Sequence, residues 1–257
     1  MKTAIRTLLL LLMFAAPSTG MAAAPRKFTI VLDAGHGGKD PGALGTKGRE
    51  KDINLAVALA VGRLIEQNMA DVSVVYTRKT DIFVELDERA NIANKAKADL
   101  FLSIHTNAVA GKTQHRGTET YTLGMHRAAD NLEVAKRENS AIMLESNYAQ
   151  RYEGFDPKSA ESYIIFEFMQ DRNMEQSVKM ATMLQQQFRS AGRPDKGVHQ
   201  AGFLVLRETS MPSCLIELGY ITTQAEETFL TSNAGVTQLA QAIYAAIKKY
   251  KETHHTK

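Results

Sequence analysis

The chain has 257 residues, with 31 Lys and Arg against 28 Asp and Glu, a formal charge of +3 and one cysteine. The near balance of charge excludes the basic stripe of a nucleic-acid binder. The lone Cys214 excludes an internal disulfide, so the fold must stand on its own core, and the length suits one domain.

The first residues have the pattern of a targeting segment. Lys2 and Arg6 precede an apolar run over 8–16, and Ala22-Ala23-Ala24 offers small residues for cleavage. That run is about half the ~20 residues a membrane span needs, and no Cys follows it for a lipid anchor. The expectation is a cleaved signal peptide over 1–24. Residues 25–257 then form an exported domain, periplasmic or otherwise outside the cytoplasm, with no integral membrane segment and monomeric. Loss of Lys2 and Arg6 lowers the formal charge of +3 by two.

Strand-like and helix-like segments then alternate. Residues 28–32 predict a strand. Residues 51–67 predict a helix, because Ile53, Val57, Ala60 and Leu64 recur at helical spacing. A strand follows over 72–77, and a helix over 85–98 with Leu86, Ala90, Ala93 and Ala96 on its apolar face. Strands are predicted over 100–104, 117–123, 203–206 and 213–218. Cys214 falls in the last of these and is assigned to buried packing. Residues 236–250 close the chain as an amphipathic helix, with Leu239, Ile243, Ala246, Ile247 and Tyr250 inward, before a polar tail over 251–257. The alternation predicts a single α/β domain with a mostly parallel, twisted central sheet flanked by helices. Residues 125–192 interrupt it: they are helical in character, with a core-packing helix over 173–190 and an insertion over 129–171.

Two strands deliver histidines to their carboxyl ends, His36 in Asp33-Ala34-Gly35-His36-Gly37-Gly38 and His105 in Ser103-Ile104-His105-Thr106-Asn107. That rim is where α/β proteins bind ligands, and a hydrolytic metal needs three protein ligands and an open position. The Gly- and Pro-rich loop over 37–48 can fold back over the strand ends. Glu50, opening the next helix, is either a first-turn acid favoured by the helix dipole or the third ligand. Glu217 is an acid inside the apolar strand Leu215-Ile216-Glu217-Leu218. A buried carboxylate is costly, so it either pairs with a buried base or acts as general base and proton shuttle beside a metal-activated water. Asn107 either holds a substrate carbonyl or closes a turn. His115 and His126 read as solvated, and His199 as a second-rank candidate for the crevice. Arg78 and Arg89 read as ion-pair partners of Asp81 or Asp87.

Together these pieces resemble a family. Residues 32–43 (Leu-Asp-Ala-Gly-His-Gly-Gly-Lys-Asp-Pro-Gly-Ala), Gly48-Arg49-Glu50-Lys51, Thr77-Arg78-Lys79-Thr80-Asp81, Leu86-Asp87-Glu88-Arg89-Ala90-Asn91, Ser103-Ile104-His105-Thr106-Asn107-Ala108 and residues 214–221 (Cys-Leu-Ile-Glu-Leu-Gly-Tyr-Ile) resemble the zinc-dependent N-acetylmuramoyl-L-alanine amidases of bacterial cell-wall turnover (the Amidase_3 type). The family pattern has Pro near Ala34 and Phe near Tyr220; this chain departs at both, outside the residues read as chemistry. The resemblance implies one Zn2+ on His36, Glu50 and His105, with Glu217 as catalytic carboxylate and peptidoglycan as substrate. Ala135-Lys136-Arg137-Glu138-Asn139-Ser140 resembles the start of the insert of division-associated members. There a helix covers the cleft and a carboxylate blocks the open metal position. Glu138 is the blocking candidate by that match, with a plain surface acid as the alternative. A blocked enzyme implies an activator that draws the helix away, of the LytM-domain type. Rival readings are a zinc carboxypeptidase of the same fold and a non-catalytic wall-binding protein.

Overall fold

The structure is a computed structural model that describes residues 26–111, 114–126, 128–167 and 172–254. The targeting segment over 1–24 lies outside the described residues. The elements run β1 (Phe28–Ala34), α1 (Glu50–Asn68), β2 (Val72–Tyr76), α2 (Leu86–Lys95), β3 (Leu100–Asn107), β4 (Thr118–Leu123), α3 (Ala129–Asn139), α4 (Tyr148–Arg151), α5 (Met174–Ser190), β5 (Asp195–Ala201), α6 (Leu204–Arg207), β6 (Ser213–Tyr220), α7 (Gln224–Leu230) and α8 (Asn233–His254). Two 3-10 turns, Ser140–Leu144 and Glu161–Glu167, lie between α3 and α5.

The six strands form one sheet in the order β2-β1-β3-β6-β4-β5. All neighbours are parallel except the antiparallel pair β4/β6. Strands β3 and β6 are buried along their whole length, as expected of apolar runs covered on both faces. Among described residues no helix is long and apolar enough to cross a membrane.

Alternation along the strands sorts their side chains into two cores. Ile30, Leu32, Leu102, Ile104, Cys214, Ile216 and Leu218 pack with α1, α5 and α8. Val31, Phe101, Tyr121 and Leu215 pack on the other face, with residues between α3 and α6. Cys214 is buried as expected. The described part of the 129–171 insertion supplies much of that second core: Val134, Ala135, Ile142, Tyr152, Phe155, Tyr163 and Phe166. It is one of the two layers that cover the sheet, over a face that is apolar at Val31, Phe101, Tyr121 and Leu215 and polar toward the strand ends.

The structure corrects several predicted elements. The strand expected over 203–206 is the short helix α6; a four-residue apolar run has no period that separates strand from buried helix. Strand β5 and helix α7 were not expected. Strand β5 is an edge strand of half-buried, largely polar residues and shows no apolar alternation. The chain after residue 250 continues α8 to His254 instead of fraying at once.

Arg78 and Arg89 do not pair with Asp81 and Asp87 as expected. Arg78 donates to the carbonyls of Ala34, Gly35 and Lys51 at 2.8–2.9 Å. Arg89 donates to Asp33 Oδ1 at 2.7 Å and to the carbonyls of Ala34 and His36 at 2.8 and 2.9 Å. Both guanidiniums therefore clamp the backbone at the carboxyl end of β1, where carbonyls would otherwise be buried unpaired. Asp33 also accepts from Thr77 and Ser103, each at 2.6 Å. Burial disfavours its charge, but Arg89 and then the two hydroxyls outweigh this and hold the carboxyl below its ordinary value. Replacing Asp33 by Ala leaves the Arg89 charge buried and unpaired, which is expected to cost about 3–5 kcal/mol in urea denaturation at pH 7. Because the folded-state pKa is depressed, that contribution is full above the ordinary carboxyl value and is lost as pH falls through the folded one. A loss at pH 7 of under about 1 kcal/mol, the worth of an exposed pair, would contradict this reading.

Candidate metal centre

His36 leaves β1 in a left-handed conformation, with φ at 60°, which is uncommon for a non-glycine residue. The Arg89 bond to its carbonyl holds the turn. Asp40 Oδ2 sits 2.8 Å from His36 Nδ1 and orients the ring so that Nε2 faces the cleft. The loop over 37–49 folds back over the strand ends, through bridges between Gly37 and Asp40 and between Leu44 and Arg49. It sets Glu50 as the first residue of α1. The carboxylate is fully buried: Ala43 N donates to Oε2 at 2.7 Å, and Thr106 N to Oε1 at 2.9 Å. Two glycines make room for this approach. A Cβ on Gly42 would stand 2.7 Å from both Glu50 Oε2 and the His36 ring, and one on Gly35 would stand 2.4 Å from the His105 ring.

Four donors meet there. His36 Nε2 is 3.1 Å from Glu50 Oε1 and 3.0 Å from Glu138 Oε2. His105 Nδ1 is 3.2 Å from Glu50 Oε1 and 2.8 Å from Glu138 Oε2. One ligand atom from each residue lies within 4.8 Å of all the others, and all four residues are buried. Tetrahedral sites with N and O ligands at about 2.0–2.1 Å from the ion have ligand atoms at this order of separation. His105 Nδ1 is buried against two carboxylate oxygens and makes a geometrically good hydrogen bond with neither. A void of about 10 Å³ bounded by His36, His105 and Glu138 adjoins the cluster. The residues thus fit a divalent metal, and the imidazole and carboxylate set is that of the Zn, Fe or Ni class rather than of Ca or Mg.

The carboxylates and imidazoles of the cluster shift one another in opposite senses. Burial lowers the His36 pKa, but Glu50, Asp40 and Glu138 outweigh it and hold the ring well above its ordinary value. Burial likewise opposes charge on His105, and Glu138 and Glu50 push it up to about 9. Glu50 and Glu138 are held low in spite of burial, the first chiefly by His36 and the second chiefly by Arg137 and His105.

Glu217 is the direct neighbour of His105 in the β3/β6 register. Burial first, and the nearby Glu138 and Glu50 charges after it, raise its pKa well above the ordinary carboxyl value, with Arg137 opposing. Its Oε1 lies 3.4 Å from Arg137 Nη2, and its buried Oε2 has no hydrogen-bond partner. Arg137 is a site residue that sequence reasoning missed. It also bonds Glu138 Oε1 at 2.9 Å and the Ala108 carbonyl at 2.8 Å. A basic residue on a polar helix carries no signal of this; only its place beside Glu138 hinted at it.

The remaining candidates lie outside the donor cluster. Asn107 is buried two residues past His105. Its Oδ1 accepts from Ala108 N at 2.7 Å and its carbonyl from Ile221 N at 2.9 Å, so it closes the turn at the strand end. His199 lies on β5, bonded to the Lys196 carbonyl at 2.9 Å. His115 is exposed and packs its ring on Tyr220 at 5.3 Å, and His126 is half-buried outside the cluster.

Residues 30–249 match the family model described as N-acetylmuramoyl-L-alanine amidase. The chain belongs to this family. It is 33% identical over 241 residues to AmiC, an N-acetylmuramoyl-L-alanine amidase of Escherichia coli O6:H1, a match covering 91% of this chain and 55% of that protein. The chain thus spans about half the length of that relative. Among solved structures, the N-acetylmuramoyl-L-alanine amidase from Clostridium difficile 630 superposes with a TM-score of 0.66 at 27% identity, over 89% of this chain and 99% of that one. The CwlD amidase from Clostridioides difficile, solved in complex with the GerS lipoprotein, superposes with a TM-score of 0.64 at 25% identity, over 88% and 100%. These neighbours share the single α/β domain found here.

If Asp40 orients His36 for a metal, Asp40→Ala is expected to weaken Zn2+ binding by about 10–100-fold in isothermal titration. Wild-type affinity in that variant would show that the ring is oriented by its backbone alone.

Proposed function

We propose that this protein hydrolyses the amide between the lactyl group of N-acetylmuramic acid and L-alanine in peptidoglycan, outside the cytoplasm, in wall turnover and daughter-cell separation. The observation that carries the reading is the convergence of His36, Glu50, His105 and Glu138 on one point, with Glu217 next to His105 in register. His36, Glu50 and His105 hold the metal, taken as zinc. When bound, it supplies Lewis-acid polarisation of the scissile carbonyl and a water of lowered pKa. Glu217 takes the proton of the attacking water on its free Oε2 and returns it to the nitrogen of the leaving amine. Asn107, whose Oδ1 is taken by Ala108 N, has its amide nitrogen left to offer a substrate carbonyl at the strand end.

Glu138 accounts for the fourth position. It reaches both imidazoles and stands where substrate and water must enter, so the enzyme is latent with α3 in place. Activation requires α3 to leave the cleft, drawn by a partner protein such as a LytM-domain activator. The CwlD–GerS complex is a relative solved with a protein partner. Deleting 129–171 is a poor test of this latch, because Ile142, Tyr152, Tyr163 and Phe166 of that segment belong to the core. A single substitution suffices.

Glu217→Ala is expected to keep its zinc and to release no peptide with a free N-terminal alanine from purified sacculi. Full release in that variant would remove Glu217 from the mechanism. Release of free terminal D-amino acids instead would make the protein a carboxypeptidase, and loss of zinc from the wild-type preparation would favour a wall-binding protein. Glu138→Ala is expected to raise basal release at least tenfold, as removal of a contact worth about 1.4 kcal/mol or more does. Unchanged release would show that the helix does not block the site.

A further inference from the structure

The chemistry proposed above leaves the buried Glu119 carboxylate beside the site without a task. Glu119 of β4 is the antiparallel partner of Glu217 in β6, and His105 of β3 is the parallel partner of Glu217 on its other side. His105, Glu217 and Glu119 therefore form one row across three strands, on the face that α3 covers. Side chains directly opposite on one face have Cβ atoms about 4.5–5.5 Å apart, and like charges placed there repel. Glu119 is only 5% exposed, so that repulsion is poorly screened.

Both oxygens of Glu119 are occupied. The Tyr121 hydroxyl donates to Oε2 at 2.5 Å, and the Tyr220 hydroxyl donates to Oε1. The Lys196 ammonium lies 3.6 Å from the same Oε1 and 4.9 Å from the centre of the Tyr220 ring. Tyr220 reaches this place through a bulge. Between His105 and Asn107 strand β3 advances two residues, while β6 advances three, from Glu217 to Tyr220. Regular alternation would send the Tyr220 ring to the opposite face, where Leu218 packs. The extra residue returns it to the face of Glu217, a common use of bulges beside active sites.

We propose that Glu119, fixed by Tyr121 and Tyr220, is a positioning residue that holds the Glu217 carboxylate toward the metal ligands. The inference rests on the role given to Glu217 above. An unfixed Glu119 could rotate across the strand pair and displace the Glu217 side chain. Two phenol donors hold the Glu119 side chain in place behind Glu217. Glu217 then turns the other way, with Oε1 toward Arg137 and Oε2 unpaired. This arrangement makes no contact with any of the four ligand atoms, so it acts on the geometry of the acid-base group and not on metal binding.

The test uses Glu119→Gln and Tyr220→Phe in the full chain, each also on the Glu138→Ala background for kinetics with a soluble muramyl-peptide. In the crystal structure of Glu119→Gln, the new amide is expected to donate to Glu217 and turn it away from Arg137. Displacing a reacting group by about 1 Å costs on the order of 10²-fold, so kcat is expected to fall by that order with KM and zinc content unchanged. Tyr220→Phe, which keeps the ring, is expected to show a smaller fall in kcat at unchanged KM. The double variant is expected to be no slower than Glu119→Gln alone, because the pair acts as one unit. A Glu217 side chain unmoved in Glu119→Gln overturns the proposal. So does an unchanged kcat in both variants on an active background. An inactive background with Glu217 displaced counts against the amidase reading and supports the positioning role.

Discussion

Two carboxylates and two imidazoles share one buried point at the rim of the sheet, and that concentration of charge constrains everything around it. Buried charge is tolerated only when it is paired, hydrogen-bonded or bound to a metal. The chain meets this requirement from four separate segments: the turn after β1, the start of α1, strand β3 and the end of α3. Each segment is held by its own polar anchors. Arg89 and Asp33 fix the end of β1, Ala43 and Thr106 fix the Glu50 carboxylate, and Asn139 ties the end of α3 to Gly202 and Leu204. Rigidity of this kind is what a ligand set requires, since metal affinity and geometry depend on outer-shell partners nearly as much as on the ligands.

The same constraint explains why α3 is more than a cover. Its Arg137 spans from Glu138 to Glu217 and the Ala108 carbonyl, so a single turn of helix touches both the His36, Glu50, His105 and Glu138 cluster and the Glu217 carboxylate. The apolar residues that follow α3 are shared with the core beneath. Arg151 of α4 bonds Glu85 and Asp87 at the start of α2, and Glu145 accepts from Leu86 N. Moving α3 therefore need not unfold the segment behind it, because that segment is also anchored at the start of α2.

Much of this was legible in the sequence where residue chemistry and local pattern coincide. His36 and His105 each follow an apolar strand, and Glu217 is an acid inside one; such breaks in pattern are visible along the chain. Glu50 was ambiguous, because a first-turn acid has an ordinary explanation. Only the fold brings it opposite the two imidazoles. Arg137 and Glu119 carried no signal. The first sits on a polar helix, and the second alternates normally in its strand, so their roles depend on which strand lies beside which. Strand order and the bulge before Tyr220 arise from long-range packing and have no local marker. The apolar run over 203–206 resembles a strand for a related reason: burial on every side erases the periodicity that would separate strand from helix.

The most direct measurement is an anomalous-diffraction crystal structure of the zinc-loaded wild-type protein. One ion within ligand distance of His36 Nε2, Glu50, His105 Nδ1 and Glu138 together is the expected result. An ion held by the first three with Glu138 turned away, or no ion at this point, would contradict the central claim that the insertion itself completes and closes the metal site.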